Sequence, residues 1–374
     1  MPPLARRNLF HDRVRLTVTL TGIVFAIVLI VVQIGLFLGF TSATSNVINH
    51  SNADLWIGAK GLAYLEQAAP FSERKLQQVR GTPGVAAAEK YILVWGNWKR
   101  PDGRKESVVL VGLNPDLPMG GPWNLSAGSV HDLKSADAII VDELYRQKLG
   151  VTHLGQVLEI NGHRARIVGF TQGIRSFTTS PYVFASFKNA QTFANLAEDR
   201  AFYILVKAAP GADMERLRRE LAARLRDVDI YTTTEFSHMT QFYWMFTTGA
   251  GIAVLLAALL GLIVGIVIVA QTIYATTMDH LREFGTLKAM GASNGYIYRV
   301  IVQQAAISAV MGYVLGMVAS VFIVRGSREG GAAILFPWEL AVSMFFLTLL
   351  MCVGAAFVSI NKVTRIDPAM VFKG

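Results

Sequence analysis

Few residues in this chain have the types and spacing that acid–base or metal chemistry requires. The candidates are two adjacent pairs and two separate histidines: His131-Asp132, Asp142-Glu143, His153 and His163. None has the His-Glu-x-x-His spacing of a zinc site, and residues 41–240 hold no Gly-x-Ser-x-Gly nucleophile elbow. We therefore predict that these side chains belong to loops and turns, and we predict no catalytic, metal-binding or cofactor-binding residue.

The sequence also lacks the motif that binds the phosphates of a nucleotide. A phosphate-binding loop needs Gly-Lys within Gly-x-x-x-x-Gly-Lys-Ser/Thr, and that dipeptide occurs nowhere in the chain. If the protein does ATP-driven work, a separate subunit must hydrolyse the ATP. The single cysteine, Cys352, allows neither a disulfide within the chain nor a cysteine-based metal site.

A short polar stretch, DHLREFGTLKAMGAS at 279–293, separates two long apolar runs. On a helical wheel one half is apolar and the other mostly small, the apolar half holding Leu281, Phe284, Leu287 and Met290 and the other Arg282, Gly285, Thr286 and Ala289. Glu283 falls within the apolar half and Lys288 between Leu281 and Phe284. A carboxylate among apolar side chains needs a partner, because an unpaired buried charge is costly.

We predict that this stretch is a short helix on the inner membrane surface. Gly291 would end it, and Ser293-Asn294 would cap the next helix. Two interpretations stay open: an amphipathic connector resting on lipid headgroups, or a docking helix pressed into a cytoplasmic partner through Arg282 and Glu283.

The segments that flank this stretch are long and apolar enough to lie within a lipid bilayer. The 374-residue chain is 52% hydrophobic and only 16% charged, and a bilayer crossing takes about 20 apolar residues. Four windows qualify: 16–40, 245–273, 298–324 and 339–360. The fold class predicted is an α-helical membrane protein with four transmembrane helices and a large α+β periplasmic domain between helices 1 and 2.

Lysine and arginine near the helix ends predict the orientation. The segments 1–15, 274–297 with Arg299, and 361–374 together hold 10 Lys/Arg against 4 Asp/Glu. They are therefore predicted to be cytoplasmic, whereas 41–244 and the loop 325–338 are predicted to be periplasmic. The first window is 25 residues long, above the roughly 7–15 of a signal-peptide core, which favours a retained helix.

The block 41–244 mixes helix and strand signals. Ser72–Arg80 is predicted as a helix capped by Ser72, and Asn161-Gly162 as the turn of a β-hairpin, since both positions need positive φ. We predict two lobes, one of 53–118 with 200–231 and one of 128–195.

Glycines spaced four apart occur in three of the four predicted membrane helices. These pairs let helices pack closely, and they are Gly35/Gly39, Gly261/Gly265 and Gly312/Gly316. No Asp, Glu, Lys or Arg lies in the middle of any membrane helix. Because intramembrane charges usually mark ion paths, this pattern argues against a proton-coupled transporter.

The stretch TMDHLREFGTLKAMGAS resembles the signature of ABC-transporter permeases of the MacB/FtsX/LolC superfamily, the type VII or mechanotransmission type. Residues 265–300 are similar to DevC-like permeases, and the tail Arg365-Ile366-Asp367-Pro368 fits the family's Arg-x-x-Pro pattern. The order of one helix, a large domain and three helices fits as well.

This resemblance implies a non-catalytic subunit of the bacterial inner membrane. Residues 279–292 would be the coupling helix on a cytoplasmic ATPase, and its coupling residues would be Asp279, His280, Leu281, Arg282, Glu283, Phe284, Gly285, Thr286, Leu287, Lys288, Met290 and Gly291. Two permease copies would work with two ATPases, and nucleic acid is not an expected partner.

Three functions remain open within the family. The first is a tripartite exporter with a membrane-fusion protein and a lipid or amphiphile cargo. The others are an FtsX-like activator of a cell-wall hydrolase and a lipoprotein-releasing permease. A fourth possibility from another class, a membrane-anchored periplasmic enzyme, lacks a catalytic constellation.

Overall fold

The computed structural model describes residues 13–178, 180–279, 281–327 and 334–363. They form two compact units, one of residues up to Gly39 and from Ile252 onward, and one of Phe40–Gly251. The first unit is helical and the second mixes helices with sheets. Four apolar helices with a mixed α/β domain between the first and second confirm the predicted fold class.

The elements are named here in chain order. The helices are α1 Arg13–Thr44, α2 Asn46–Asn49, α3 Lys75–Arg80, α4 Arg146–Leu149, α5 Phe187–Phe193, α6 Met214–Arg224, α7 Thr233–Phe242, α8 Ala250–Asp279, α9 Leu281–Ala289, α10 Asn294–Ser327 and α11 Trp338–Val363. The strands are β1 Leu55–Ala59, β2 Phe71–Ser72, β3 Val85–Lys99, β4 Lys105–Leu113, β5 Leu125–Ala127, β6 Ala138–Asp142, β7 Val157–Ile160, β8 His163–Thr171, β9 Tyr182–Ser186, β10 Arg200–Ala201, β11 Tyr203–Ala208 and β12 Val228–Thr232.

Four helices are long and apolar enough to cross a membrane: Leu16–Thr44, Ala250–Thr272, Asn294–Ser327 and Trp338–Phe357. Such runs favour helices, because an α-helix satisfies its own backbone hydrogen bonds where no water can. The predicted second window began at residue 245, but there the chain forms a π-helical turn, Tyr243–Thr247. Gly249 then adopts φ +77°, so α8 begins only at Ala250.

Glycines bring the helices of this unit into close contact. A Cβ on Gly265 would lie 2.5 Å from the Cβ of Ala26, and one on Gly261 would lie 2.7 Å from Leu29 Cδ2. A Cβ on Gly316 would meet Ile27 at 3.0 Å. Five of the six glycine positions proposed for helix packing show such close approaches, including Gly35 and Gly312, and α1 therefore packs directly on its neighbours. Gly39 is buried.

The α/β unit contains two groups of strands that share β3. One group is antiparallel in the order β12-β1-β11-β3. The other runs β3-β4-β9-β6-β8, and β7 pairs with both β8 and β3, which closes a path of six strands. Since β3 is 15 residues long, it serves both groups.

This pairing corrects the predicted lobes. The first lobe was expected to hold β4, but β4 pairs with β9 of the second. The chain thus passes between the groups inside one strand rather than through a linker. Ser72 is not a helix cap: it lies in β2, paired with Arg200, and the helix starts at Lys75. The hairpin turn is confirmed, with φ +48° at Asn161 and +87° at Gly162.

Candidate functional site: the short helix between the second and third membrane spans

The described residues of the predicted coupling segment belong to the end of α8, to α9 and to the turn that follows α9. The segment was expected over 274–297, but α8 continues to Asp279 and α9 spans only nine residues. His280 lies outside the described residues. The backbone of α9 closes at Gly291, which has φ +93°.

Two backbone hydrogen bonds define that end. Ala292 N donates to Leu287 O at 2.9 Å, and Gly291 N donates to Lys288 O at 3.0 Å. This pair of bonds is a Schellman motif, in which a glycine adopts the left-handed conformation and satisfies the last helical carbonyls. Gly291 therefore fixes where α9 stops and the chain turns towards α10.

The exposure along α9 differs from the helical-wheel expectation. Gly285, placed on the half with mostly small side chains, is buried, whereas Met290, placed on the apolar half, is 72% exposed. Glu283 is exposed and Lys288 half-buried. The side chains of Leu281, Arg282 and Phe284 lie outside the described set. The wheel was therefore wrong for Gly285 and Glu283, because it orders residues by side-chain polarity and takes no account of what surrounds the helix.

The turn after α9 contains a Gly-x-Ser-x-Gly sequence, residues 291–295, outside the block that was searched for a nucleophile elbow. Ser293 Oγ accepts a hydrogen bond from Tyr296 N at 3.3 Å. It therefore caps α10, as predicted. A nucleophile elbow requires a strand before the serine, and here a helix precedes it.

The sequence candidates for catalysis have structural partners. Asp142 is buried, and its Oδ2 accepts from Thr171 Oγ1 at 2.8 Å and Ile174 N at 2.7 Å. Asp132 completes a capping box with Ser129. His163 Nε2 contacts Asn195 Oδ1 at 2.9 Å. Within the described residues, no three His, Cys, Asp or Glu side chains come close enough to hold a metal ion.

One half-buried acidic group, Glu66, was missed by sequence reasoning. Glu66 Oε2 accepts a hydrogen bond from Trp244 Nε1 at 3.3 Å. Tyr64 and Tyr243 stack beside it, with ring centroids 4.0 Å apart. Burial raises the pKa of the Glu66 carboxyl to about 7, although the Trp244 bond lowers it. The signal available was the aromatic run FYWMF, 242–246, before the second span.

Two protein families match the chain in complementary parts. The MacB-like periplasmic core domain matches residues 16–224, and the FtsX-like permease C-terminal domain matches residues 255–368. The second match contains α9, α10 and α11.

Similar proteins cover most of the length. An uncharacterised ABC transporter permease of Mycobacterium tuberculosis is 23% identical over 370 residues, which is 97% of this chain and 96% of that protein. The macrolide export ATP-binding/permease protein MacB of Escherichia coli is 20% identical over 64% of this chain and 39% of its own length. The periplasmic region of MacB from Actinobacillus actinomycetemcomitans superposes with a TM-score of 0.39 and 12% identity, covering 51% of this chain and 94% of that one. On the family matches, the chain belongs to the ABC-transporter permeases of the MacB/FtsX family.

Proposed function

We propose that this chain is the permease subunit of an ATP-driven exporter and that α9 docks on the ATPase. Membership of the family implies an ATPase partner. The sequence supports a separate one, because it has no Gly-Lys with which to hold phosphates. The permease itself performs no hydrolysis in this proposal.

The observation that carries the proposal is the surface of α9. Helix α9 carries Arg282, Glu283 and Lys288, charges that a hydrocarbon core does not accommodate. It buries Gly285 and exposes Glu283 and Met290. A connector resting on the inner leaflet would meet anionic headgroups, which repel an exposed carboxylate. An exposed acid beside an exposed large apolar side chain suits a protein groove better.

The positive-inside pattern supports a cytoplasmic α9 and a periplasmic α/β unit in this proposal. ATP-driven closure of two ATPases would move two permease copies and transmit the motion through α1 and α8. The absence of charged residues from the middle of the four spans supports this mechanical role, since an ion-coupled path would need them.

A tripartite assembly with a membrane-fusion protein follows from the likeness of 265–300 to DevC-like permeases. The name of the Escherichia coli relative, a macrolide export protein, supports export as the outcome. We propose a lipid or amphiphile as the cargo, moved without passage through a polar channel between the helices.

The test is charge reversal on α9. Glu283→Lys and Met290→Glu should each lower co-purification of the ATPase and its stimulated turnover by about tenfold, the equivalent of about 1.4 kcal/mol. Glu339→Lys is the matched control: Glu339 is exposed in the first turn of α11, at the opposite end of the helices from α9.

Membrane insertion must be unchanged in all three variants. Wild-type levels of ATPase binding and turnover in both α9 variants would remove α9 from the mechanism. Equal loss in the Glu339→Lys control would show that the effect is not a contact at α9.

A further inference from the structure

The second membrane helix, α8, is covered by its own chain less than the other three spans are. Only 17% of its most apolar window is buried, against 33% to 39% for the corresponding windows of α1, α10 and α11. One face of α8 packs on α1 through Gly261 and Gly265. The rest of its surface is left to lipid or to a partner that a single chain does not contain.

The uncovered surface of α8 contains a stripe with the spacing of a helix-packing seam. Exposed side chains recur at alternating intervals of four and three residues, and we call them the α8 seam: Leu260, Val264, Val267, Gln271 and Tyr274. At about 100° per residue they fall within a sector of about 80°, centred about 120° around the helix from the two glycines. This alternation matches the a and d positions through which two helices pack with a left-handed crossing.

One member of the α8 seam is polar. Gln271 is exposed, and its side chain makes no hydrogen bond with the residues that the structure describes. It lies near the end of the span Ala250–Thr272, and the next charged side chain, Asp279, is about 12 Å further along the helix. Lipid tails offer an amide there no hydrogen-bond partner. The other glutamines of the spans are half-buried or buried against their own chain: Gln33, Gln303 and Gln304.

A second copy of the same helix would satisfy this amide. A carboxamide has both an acceptor oxygen and N–H donors, so two such groups related by a two-fold axis can exchange hydrogen bonds. Two copies of one chain share one orientation in the membrane, because the same lysine and arginine residues direct both. Their α8 helices therefore run parallel, which places like positions of the seam opposite each other.

We propose that the α8 seam packs against the α8 seam of a second copy of this chain, with the two Gln271 side chains hydrogen-bonded to each other across the two-fold axis. Because lipid tails are as apolar as Leu260 or Val267, the apolar members supply close packing and the amide supplies the selectivity. A single polar residue at such a position also fixes the register of the two helices. The inference rests on the proposed pairing of two permease copies and identifies the surface through which they meet.

The first experiment locates the contact in membranes of the native host that carry two differently tagged copies of the full-length protein. Val267→Cys and Ile266→Cys add thiols at neighbouring positions of α8, where the native side chains are 51% and 41% exposed. Only Val267 belongs to the seam, so oxidation with copper phenanthroline should join copies of Val267→Cys in at least about tenfold higher yield than copies of Ile266→Cys. The wild-type protein should not cross-link, because Cys352 is fully buried.

The second experiment tests the amide. Energy transfer between fluorescently tagged copies is measured in the same membranes as the protein density is varied. Gln271→Leu removes the amide, and we expect it to raise the density at half-maximal transfer about threefold to tenfold. Gln271→Asn keeps the donors and the acceptor, and its midpoint should lie within about threefold of the wild-type value.

The outcomes separate this inference from the proposed function. Co-purification of the two tags with equal cross-linking at 266 and 267, or with none at 267, would place the contact between copies elsewhere and overturn the inference alone. Equal midpoints for the wild type and Gln271→Leu would overturn the role of the amide and leave this face of α8 to lipid. No energy transfer and no co-purification in the wild type would overturn the pairing of two copies itself.

Discussion

The indole Nε1 of Trp244 lies 3.3 Å from Glu66 Oε2, which joins the segment after β1 to the π-helical turn before α8. Phe177 packs on the same indole, with centroids 4.3 Å apart. Segments far apart in sequence thus converge on one carboxyl group. The protonation state of Glu66 is therefore coupled to how the last turn before α8 is held.

We predict that the α/β unit becomes more stable as the pH falls from 8 to 5. The pKa of Glu66 is raised by burial from 4.5 to about 7, so between these values the folded state binds the proton more tightly than the unfolded state. Stability is then lost as the pH rises through about 7. Because the residue is only partly buried, we expect a change of ~1–2 kcal/mol, measured by thermal unfolding in detergent.

Glu66→Gln is the control for that change, since it fixes a neutral side chain of similar size. The variant should be more stable than wild type at pH 8 and should lose this part of the pH dependence. An unchanged pH profile in the variant would assign the effect to other groups.

We predict opposite effects for the same substitution at two helical glycines. A Cβ on Gly312 would lie 2.8 Å from the Cβ of Ile23, so Gly312→Ala forces α1 and α10 apart. Overpacking of this kind costs about 1–3 kcal/mol. Gly354 has no neighbouring atom within 4 Å among the described residues, and Gly354→Ala should be neutral or stabilise by up to about 1 kcal/mol. Thermal melting in detergent distinguishes them, and similar melts would rule out tight packing at Gly312.

Local signals predicted much of this fold. The four apolar helices follow from the length of the apolar runs. Inside the hydrocarbon core of a membrane, an isolated segment can satisfy its backbone hydrogen bonds only as a helix. The Asn161-Gly162 turn follows from the positive φ that both positions must adopt. The end of α9 at Gly291 follows from the same property of glycine.

Features set by distant partners were not predictable in this way. Nothing near Val85 indicates that β3 serves two groups of strands, since that depends on where β4 and β11 end. The buried face of α9 was misjudged because a wheel ranks side chains by polarity, whereas the buried Gly285 has no side chain to rank. Glu66 was missed because its partner Trp244 is 178 residues away.

We predict that Asn161 stabilises the closed strand path as well as its own turn. Its Oδ1 accepts from Asn97 N at 2.8 Å, and its Nδ2 donates to Phe193 O at 2.8 Å. Asn161→Gly keeps the positive φ but loses both bonds, and should cost ~1–3 kcal/mol of unfolding free energy. Asn195→Gly is the control, with φ +50° and one side-chain contact to His163. Equal melting temperatures for both variants would contradict a joining role for Asn161.

The side of the membrane on which α9 lies can be tested by introducing single cysteines, because the chain has only one cysteine of its own, Cys352. Cys352 is fully buried, so it should not react with a membrane-impermeant maleimide. Met290→Cys adds a thiol at a position 72% exposed, and Leu154→Cys adds one at a position 45% exposed in the α/β unit. Since the positive-inside pattern predicts that α9 is cytoplasmic, we expect spheroplasts to label only Leu154→Cys and inverted vesicles to label only Met290→Cys. Labelling of Met290→Cys in spheroplasts would place α9 on the wrong side for any ATPase and end the coupling proposal.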